Sequence, residues 1–250
     1  MKVAEVFKSI QGEGLYTGAP TIFVRMFGCN LACEWCDTKY ALEGDYQELC
    51  YRDIVRKVAA HSPPPATVCF TGGEPMIQSG RLFARGLKLL KQRGYKIHIE
   101  TNGTIRPNKR LIPHVDFWSV SPKLHLDFDK IYPPSKFSYR ETVKAFCTLE
   151  SAKQLKFVIA KEEEVPLILN LMNSLELDAD IVTNLPIIIQ PERFTFEQRW
   201  TIGDKFHYNN KLEYLNNFPQ LIQWCEKLKG LNYQILPQLH FLLWSGEKGK

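Results

Sequence analysis

Residues 67–103, TVCFTGGEPMIQSGRLFARGLKLLKQRGYKIHIETNG, contain one complete strand–helix–strand unit. The apolar run Thr67–Phe70 has the length and residue types of a buried strand, and Lys96–Glu100 is similar. Between them, the apolar residues of Arg81–Arg93 recur on one helical face, and Gly94 follows where a helix cap is expected. A helix between two strands predicts parallel pairing of the strands through a crossover.

The same alternation extends over most of the chain. The predicted strands are Thr21–Phe27, Thr67–Phe70, Lys96–Glu100, Asp116–Val120, Gln154–Ile159 and Pro186–Gln190. Besides Arg81–Arg93, the predicted helices are Tyr51–His61, Ser138–Glu150 and Glu162–Asn173. Strands separated by helices predict an α/β fold. Six such units are too few for a closed eight-fold barrel, so we predict an incomplete, about six-stranded parallel β/α barrel.

The chain of 250 residues is predicted to form a single domain. Its core covers about residues 20–191. In 192–231 the alternation weakens and aromatic and asparagine residues accumulate, which indicates an irregular, largely helical addition. Residues 232–250 are predicted to form a last strand, Tyr233–Leu239, and a tail.

Bulk composition excludes several classes of protein. A hydrophobic share of 44% and a charged share of 24% are typical of a globular protein. The net charge of +5 is spread out with no long Lys/Arg run, so no nucleic-acid partner is expected. There is no apolar run of about eighteen residues, and the first residues lack a signal-peptide pattern, so we expect no membrane span. Seven cysteines, three of them close together, do not suit a disulfide framework. We therefore expect a cytoplasmic protein.

Three cysteines, Cys29, Cys33 and Cys36, lie in one short loop after the first predicted strand. Thiolates are the soft ligands that iron–sulfur clusters favour, and three of them on a four-iron cluster leave one iron open to a further ligand. The alternative is structural zinc. That ion normally takes four ligands, and the sequence offers no second Cys pair or Cys/His pair at suitable spacing.

The cysteine spacing and the run Gly72–Pro75 together resemble the radical S-adenosylmethionine (SAM) superfamily. The resemblance implies that SAM binds the open iron of a 4Fe–4S cluster and is cleaved by the reduced cluster to a 5′-deoxyadenosyl radical. Glycines permit close backbone approach, and Glu74 can accept hydrogen bonds from the SAM ammonium group.

A closer resemblance, to the 7-carboxy-7-deazaguanine synthases, spans nearly the whole chain. Its motifs are Ile10–Gly14, Arg25–Leu31, Cys36–Thr38, Glu100–Gly103, Ser121–Lys123 and Pro237–His240. It implies a homodimer that converts 6-carboxy-5,6,7,8-tetrahydropterin to 7-carboxy-7-deazaguanine with loss of ammonia, a step towards queuosine-type 7-deazapurines. It also implies an electron donor such as flavodoxin or ferredoxin.

The resemblance assigns the remaining site residues. Predicted SAM contacts are Trp35, Cys36, Asp37, Gly73, Glu74, Ser121, Pro122, Lys123, Gln190, Pro191, Glu192 and Arg193. Predicted substrate contacts are Ile10, Gln11, Gly12, Glu13, Arg25, Thr71 and His240. Thr38 is the predicted protein ligand of Mg²⁺, a hard ion that prefers oxygen.

The residues by themselves leave alternatives open at several of these positions. Gln11–Gly14 also fits a simple turn, and Arg25 fits an ion pair at the edge of the core. Asp37 or Thr38 also fits a helix N-cap, and a lone His240 fits a structural role. The four other cysteines, at 50, 69, 147 and 225, are interpreted as buried apolar residues.

Two rival functions remain at this point. A glycyl-radical-enzyme activase shares the cysteine spacing but acts on a protein. A non-catalytic metal-binding or electron-transfer module would carry iron without cleaving SAM.

Overall fold

A single nine-stranded sheet forms the centre of the computed structural model, which describes residues 1–33, 35–192, 214–216 and 218–244. The strands are β1 (Lys2–Ile10), β2 (Pro20–Met26), β3 (Gln47–Glu48), β4 (Thr67–Gly72), β5 (Lys96–Thr101), β6 (Phe117–Val120), β7 (Ala152–Ile159), β8 (Ile187–Pro191) and β9 (Tyr233–Ile235). Their order across the sheet is β3-β1-β2-β4-β5-β6-β7-β8-β9. Neighbours from β2 to β9 pair in parallel, whereas β1 pairs antiparallel with β2 and with β3.

All six predicted strands are present and parallel, and the prediction of an open, incomplete β/α barrel is confirmed. The sequence missed β1 and β3, which extend one edge. The last strand was predicted too long: it ends at Ile235, and Leu239 already begins a helix. Pro237 lies between them and has no backbone N–H to continue the strand pairing.

The helices are α1 (Tyr40–Glu43), α2 (Tyr51–His61), α3 (Arg81–Gln92), α4 (Tyr139–Cys147), α5 (Val165–Ser174), α6 (Ala179–Asn184), α7 (Phe218–Cys225) and α8 (Leu239–Trp244). Local sequence fixes their ends. The Ser138 hydroxyl accepts from Glu141 N while the Glu141 carboxylate accepts from Ser138 N, a capping box that starts α4. Gly94, at φ +90°, follows α3 as expected. None of the described helices is long and apolar enough to cross a membrane.

Two further predictions concern single segments. Of the predicted irregular addition 192–231, residues 193–213 and 217 lie outside the described residues, and α7 occupies part of the rest. Cys69, Cys147 and Cys225 are buried as predicted. Cys50 is exposed, so its interpretation as a buried residue was wrong. It lies at the N-cap of α2, where the chain turns at the surface.

The two faces of the sheet have different chemistry because successive side chains of a strand point to opposite sides. On one face, Val24, Phe70 and Trp118 belong to the large core that packs against the helices. On the other, Phe23 and Cys69 form a small apolar cluster with Phe7 of β1. Two residues further along each strand, this inner face becomes polar. The polar side chains there are Arg25, Thr71, Glu100, Ser119 and Lys156.

The loop between β1 and β2 crosses this inner face and reaches β7. Leu15 N donates to Gln154 Oε1 (2.9 Å), and Lys156 forms an ion pair with Glu13. Gly14, at φ +72°, allows this approach, because a Cβ there would lie 2.1 Å from Gln154 Nε2. The loop therefore covers part of the inner face, on the amino-terminal side of the carboxyl ends of the parallel strands.

Candidate active site

A cavity of about 260 Å³ lies on the inner face at the carboxyl ends of the strands. Parallel β/α barrels place their ligand-binding groups there. The predicted site residues that line it are Ile10, Gln11, Gly12, Glu13, Arg25, Cys29, Cys33, Trp35, Cys36, Asp37, Thr38, Thr71, Gly73, Ser121, Lys123, Glu192 and His240. Glu74, Pro122, Gln190 and Pro191 are not on the cavity wall, and Arg193 lies outside the described residues.

The cysteine loop is held against the loop after β4 by backbone hydrogen bonds. Gly73 N donates to Met26 O (2.9 Å) and Glu74 N donates to Gly28 O (2.8 Å). The two backbones come so close that a Cβ on Gly73 would lie 2.0 Å from Gly28 O. A glycine is therefore needed at position 73 for a structural reason: it lets the cysteine loop and the loop after β4 pack together.

The donor set of the cysteine loop fits an iron–sulfur cluster. Leu31 N donates to Cys29 Sγ (3.4 Å), and Asn102 Nδ2 lies 3.8 Å from the same sulfur. Burial raises the pKa of all three thiols, that of Cys29 to about 11. Thiolates at these positions thus require a nearby cationic centre, which the irons of a cluster supply.

A mononuclear metal site suits this loop less well. No three Cys, His, Asp or Glu side chains converge closely enough around a single ion in the part of the chain that the structure describes. Cluster ligands bind different irons and so need not converge on one point, in contrast to the ligands of zinc.

Glu74 lies beneath the cavity wall and is fully buried. Its carboxylate accepts hydrogen bonds from Met76 N (2.9 Å), Thr101 Oγ1 (2.8 Å) and Asn102 N (2.7 Å). Burial raises its pKa to about 7, against the effect of these donors. Glu74 thus ties the loop after β4 to the end of β5. A carboxylate has about four acceptor sites, so it retains capacity for a further donor.

Lys123 and its neighbours form one side of the cavity. Lys123 Nζ donates to Ser121 Oγ (2.9 Å), and Lys123 N donates to Tyr139 Oη (2.7 Å). Burial, with a further contribution from the charge of Lys156, lowers the pKa of Lys123. Gln190, on β8, is also buried; its Nε2 donates to Pro237 O (3.2 Å), while its Oε1 has no hydrogen-bond partner among the described residues.

The opposite side is a network around two carboxylates. Glu100 accepts from Gln11 Nε2 (2.9 Å) and from Thr71 Oγ1 (2.6 Å). Glu13 is paired with Lys156. Burial acts to raise the pKa of Glu13, but the charges of Lys156 and His240 and the hydrogen bonds from Lys156 and Gln238 together outweigh it, and the pKa falls to about 2. Both groups are therefore acceptors on this wall.

Arg25 lies between an anion and the predicted magnesium ligand. Its Nε donates to Glu5 Oε1 (2.7 Å), which also accepts from Tyr40 Oη (2.6 Å). Its Nη1 donates weakly to Thr38 Oγ1 (3.4 Å), whose own hydroxyl donates to Asp37 Oδ1 (2.8 Å). Arg25 thus makes the ion pair that the residues alone also allowed, and it lines the cavity as well.

The C-terminal segment closes the cavity from the side of the β1–β2 loop. Leu239 N donates to Gly12 O (2.8 Å), and the His240 ring packs so tightly on Gly12 that a Cβ there would lie 2.2 Å from His240 Nδ1. Gln238 Nε2 donates to Glu13 Oε1 (2.7 Å).

The predicted site lacked several residues that line the cavity: Glu100, Asn102, Lys156 and Gln238. It also lacked Glu5, which does not line the cavity but holds Arg25. One signal was available for Lys156, since it is a charged residue inside an apolar strand, QLKFVI. Glu100 and Asn102 lie within a motif that carried the resemblance but received no role. Glu5 had no such signal, because β1 itself was missed.

Comparison with known proteins decides the family. The model of the radical SAM superfamily matches residues 23–123. A 7-carboxy-7-deazaguanine synthase from Rhodopirellula baltica is 34% identical over 210 residues, which cover 79% of this chain and 77% of the relative. The chain belongs to the 7-carboxy-7-deazaguanine synthase family. A second member, from Methanospirillum hungatei, is 35% identical over 166 residues, which cover 66% of this chain and 64% of that relative's length.

A solved structure agrees on the fold. The crystal structure of QueE from Escherichia coli matches with a TM-score of 0.65 at 24% identity, over 96% of this chain and 94% of that one. As a radical SAM enzyme of the 7-carboxy-7-deazaguanine synthase family, the protein has the two cofactors predicted from its sequence, a 4Fe–4S cluster and SAM. Mg²⁺ stays a prediction.

Proposed function

We propose that this enzyme converts 6-carboxy-5,6,7,8-tetrahydropterin to 7-carboxy-7-deazaguanine with release of ammonia, within 7-deazapurine biosynthesis. One observation carries the proposal. A single cavity is lined by Cys29, Cys33 and Cys36 together with a cation, Arg25, and two carboxylates, Glu13 and Glu100, which are suited to a carboxylated pterin.

On the cluster side, the three cysteines hold the irons, and the bound cluster and SAM supply the radical chemistry. Asn102 and Leu31 direct N–H groups at Cys29, which stabilises the thiolate. Lys123 and Ser121 are suited to the polar groups of SAM, and Trp35 packs edge-on against His125 at a centroid distance of 4.5 Å, which fixes the indole beside the cysteines. Gly73, Glu74, Asp37, Pro122 and residues 190–193 complete the proposed SAM set.

On the substrate side, Arg25 binds the carboxylate of the pterin. Its guanidinium is held by Glu5 and lies over the rings of Phe7 and Tyr40, at 5.4 and 5.6 Å from their centroids. Planar guanidinium groups bind carboxylates through paired hydrogen bonds. Thr38, next to Arg25, is the proposed protein ligand of Mg²⁺, with Asp37 as a second nearby oxygen donor.

The remaining residues of the cavity wall contact the pterin ring. Glu13 offers an ionised acceptor to the ring's N–H donors, while Gln11, Gly12 and Thr71 provide further polar contacts. His240 and Ile10 close the pocket around the ring. An acceptor wall built this way disfavours ligands that lack the matching donors, since its buried polar groups would stay unpaired.

Anaerobic reconstitution tests the proposal. Protein loaded with iron and sulfide is mixed with reductant, SAM, Mg²⁺ and the carboxypterin, and product is followed by mass spectrometry. We expect 7-carboxy-7-deazaguanine and ammonia. An intact cluster that cleaves SAM without forming this product would reject the substrate, and modification of a protein glycine would favour the activase instead.

The cellular setting forms part of the same proposal. We infer a homodimer in the cytoplasm, reduced by a flavodoxin or ferredoxin, with the chain as one radical SAM domain. All seven cysteines are free, which fits a reducing compartment. Sedimentation of the reconstituted protein tests the dimer, and reduction of the cluster by purified flavodoxin tests the donor.

A further inference from the structure

The ion pair between Lys156 and Glu13 is the one cation–carboxylate contact among the described residues that joins the β1–β2 loop to β7 inside the cavity. Lys156 is 8% exposed and lies in a central strand, flanked by the buried Leu155 and Phe157. A charge in such a place is costly unless it is paired. Neither the sequence motifs nor the proposed cofactor contacts give it a role.

Other contacts also hold the loop that carries Glu13: Leu239 N donates to Gly12 O, and Gln11 Nε2 donates to Glu100. Gln11 Oε1 accepts from Glu13 N (3.1 Å), and Gln154 accepts from Leu15 N. Gln154 and Lys156 are two residues apart, so they project from the same face of β7 and hold the loop at two points. Of the two, only Lys156 contacts the Glu13 side chain.

The Glu13 carboxylate is thereby fixed at both oxygens. Lys156 Nζ donates to Oε2, and Gln238 Nε2 donates to Oε1 at 2.7 Å. Each carboxylate oxygen has a second lone pair, and Glu13 lines the cavity, so the carboxylate can still accept two parallel hydrogen bonds from a ligand.

We propose that Lys156 is a positioning residue, which holds the Glu13 carboxylate on the cavity wall so that it accepts the paired 2-amino and ring N–H donors of the pterin. The inference rests on the proposed function and deepens it: the site selects ligands with a 2-aminopyrimidinone edge. Lys156 acts through Glu13 and does not itself contact the reacting atoms.

The groups that face Glu13 come from several elements. Lys156 is on β7, Lys123 follows β6, His240 is on α8, and Tyr214 precedes α7. Asp37 of the cluster loop and Glu100 of β5 act on Lys156 in turn. Lys156 is the largest favourable contributor to the ionised state of Glu13. Without it, burial acts to raise the pKa of Glu13, so the acceptor becomes protonated at higher pH than in the wild type.

The test compares Lys156→Met, Lys156→Arg, Glu13→Gln and the double variant Glu13→Gln/Lys156→Met. We expect Lys156→Met to raise the KM for the carboxypterin about 10- to 100-fold while the protein still cleaves SAM in the absence of substrate. Its KM should also rise more steeply than the wild-type KM as pH falls from about 8 to 6. Lys156→Arg should restore part of the affinity.

The double variant decides whether Lys156 acts through Glu13. If it does, Lys156→Met adds little to the KM already raised by Glu13→Gln. This variant also removes both charges of the pair together, so it tests the inference even if Lys156→Met alone does not fold. Lys91→Met is the matched control, because Lys91 pairs with Asp116 outside the cavity and its loss should leave KM unchanged.

Three results would overturn the inference. Unchanged KM in Lys156→Met, full additivity in the double variant, or loss of SAM cleavage in Lys156→Met each contradicts positioning through Glu13. A wild-type enzyme that cleaves SAM but neither binds nor converts the carboxypterin overturns the proposed function as well. The wild-type measurement therefore separates the two failures.

Discussion

Gly73→Ala tests whether the two cofactor motifs depend on each other through backbone contact. A Cβ at Gly73 would lie 2.0 Å from Gly28 O, whereas ordinary contact begins at 3.4 Å. The two loops must therefore separate by about 1.4 Å, the difference between these distances. This movement also weakens the hydrogen bonds from Gly73 N to Met26 O and from Glu74 N to Gly28 O.

The magnitude follows from these contacts. Overpacking costs about 1–3 kcal/mol, and each weakened hydrogen bond costs up to about 1 kcal/mol. We expect a loss of about 2–4 kcal/mol in the free energy of unfolding, or about 5–15 °C in Tm for a chain of this size. Because the cysteine loop is displaced, the variant should also bind less iron on reconstitution.

The assay is anaerobic thermal unfolding of the metal-free protein, followed by iron and sulfide analysis after reconstitution. Gly80→Ala is the control. Its Cβ would meet nothing within 4 Å, and its φ of −76° suits any residue. A Gly73→Ala protein with the Tm and iron content of Gly80→Ala would show that the close approach of the two loops is not required.

Three further predictions concern the cysteines, the Arg25 support and a buried histidine. Cys33→Ala should abolish the cluster, whereas Cys50→Ser, at an exposed position, should retain full iron content; equal iron in both would contradict the assigned ligand. Glu5→Gln removes the charge that holds Arg25, so the KM for the carboxypterin should rise about tenfold with kcat unchanged, and steady-state kinetics would refute this by an unaltered KM. Burial lowers the pKa of His98 to about 4 between Tyr16 and Phe117, so the unfolded chain binds a proton more readily. The metal-free protein should therefore lose up to about 3 kcal/mol of stability as pH falls from about 6.5 to 4; urea unfolding should show that His98→Phe removes this slope, and an unchanged slope would contradict the assignment.

The cluster and the SAM motif could be predicted from sequence because their chemistry is local. Three thiolates within one loop need no tertiary information to suggest a cluster with an open iron, and the Gly-Gly-Glu-Pro run after the next strand resembles the SAM-binding motif of a known superfamily. The six parallel strands could also be predicted from the sequence, since each is a short apolar run between amphipathic helices. These predictions depend on neighbours in the chain, and neighbours in the chain are what a sequence displays.

Only the tertiary structure decided how the substrate wall is built. Glu13 comes from the loop between β1 and β2, Lys156 comes from β7, which is distant from both strands in the sheet order, and Gln238 comes from near the other end of the chain. Likewise, a glycine is needed at position 73 because the backbone of Gly28 lies against it, and this contact cannot be predicted from the spacing of the motifs. Long-range pairs of this kind depend on how the β1–β2 loop crosses the open sheet. The sequence by itself determined the chemistry of the cysteine loop, and the fold determined which carboxylates and cations face it.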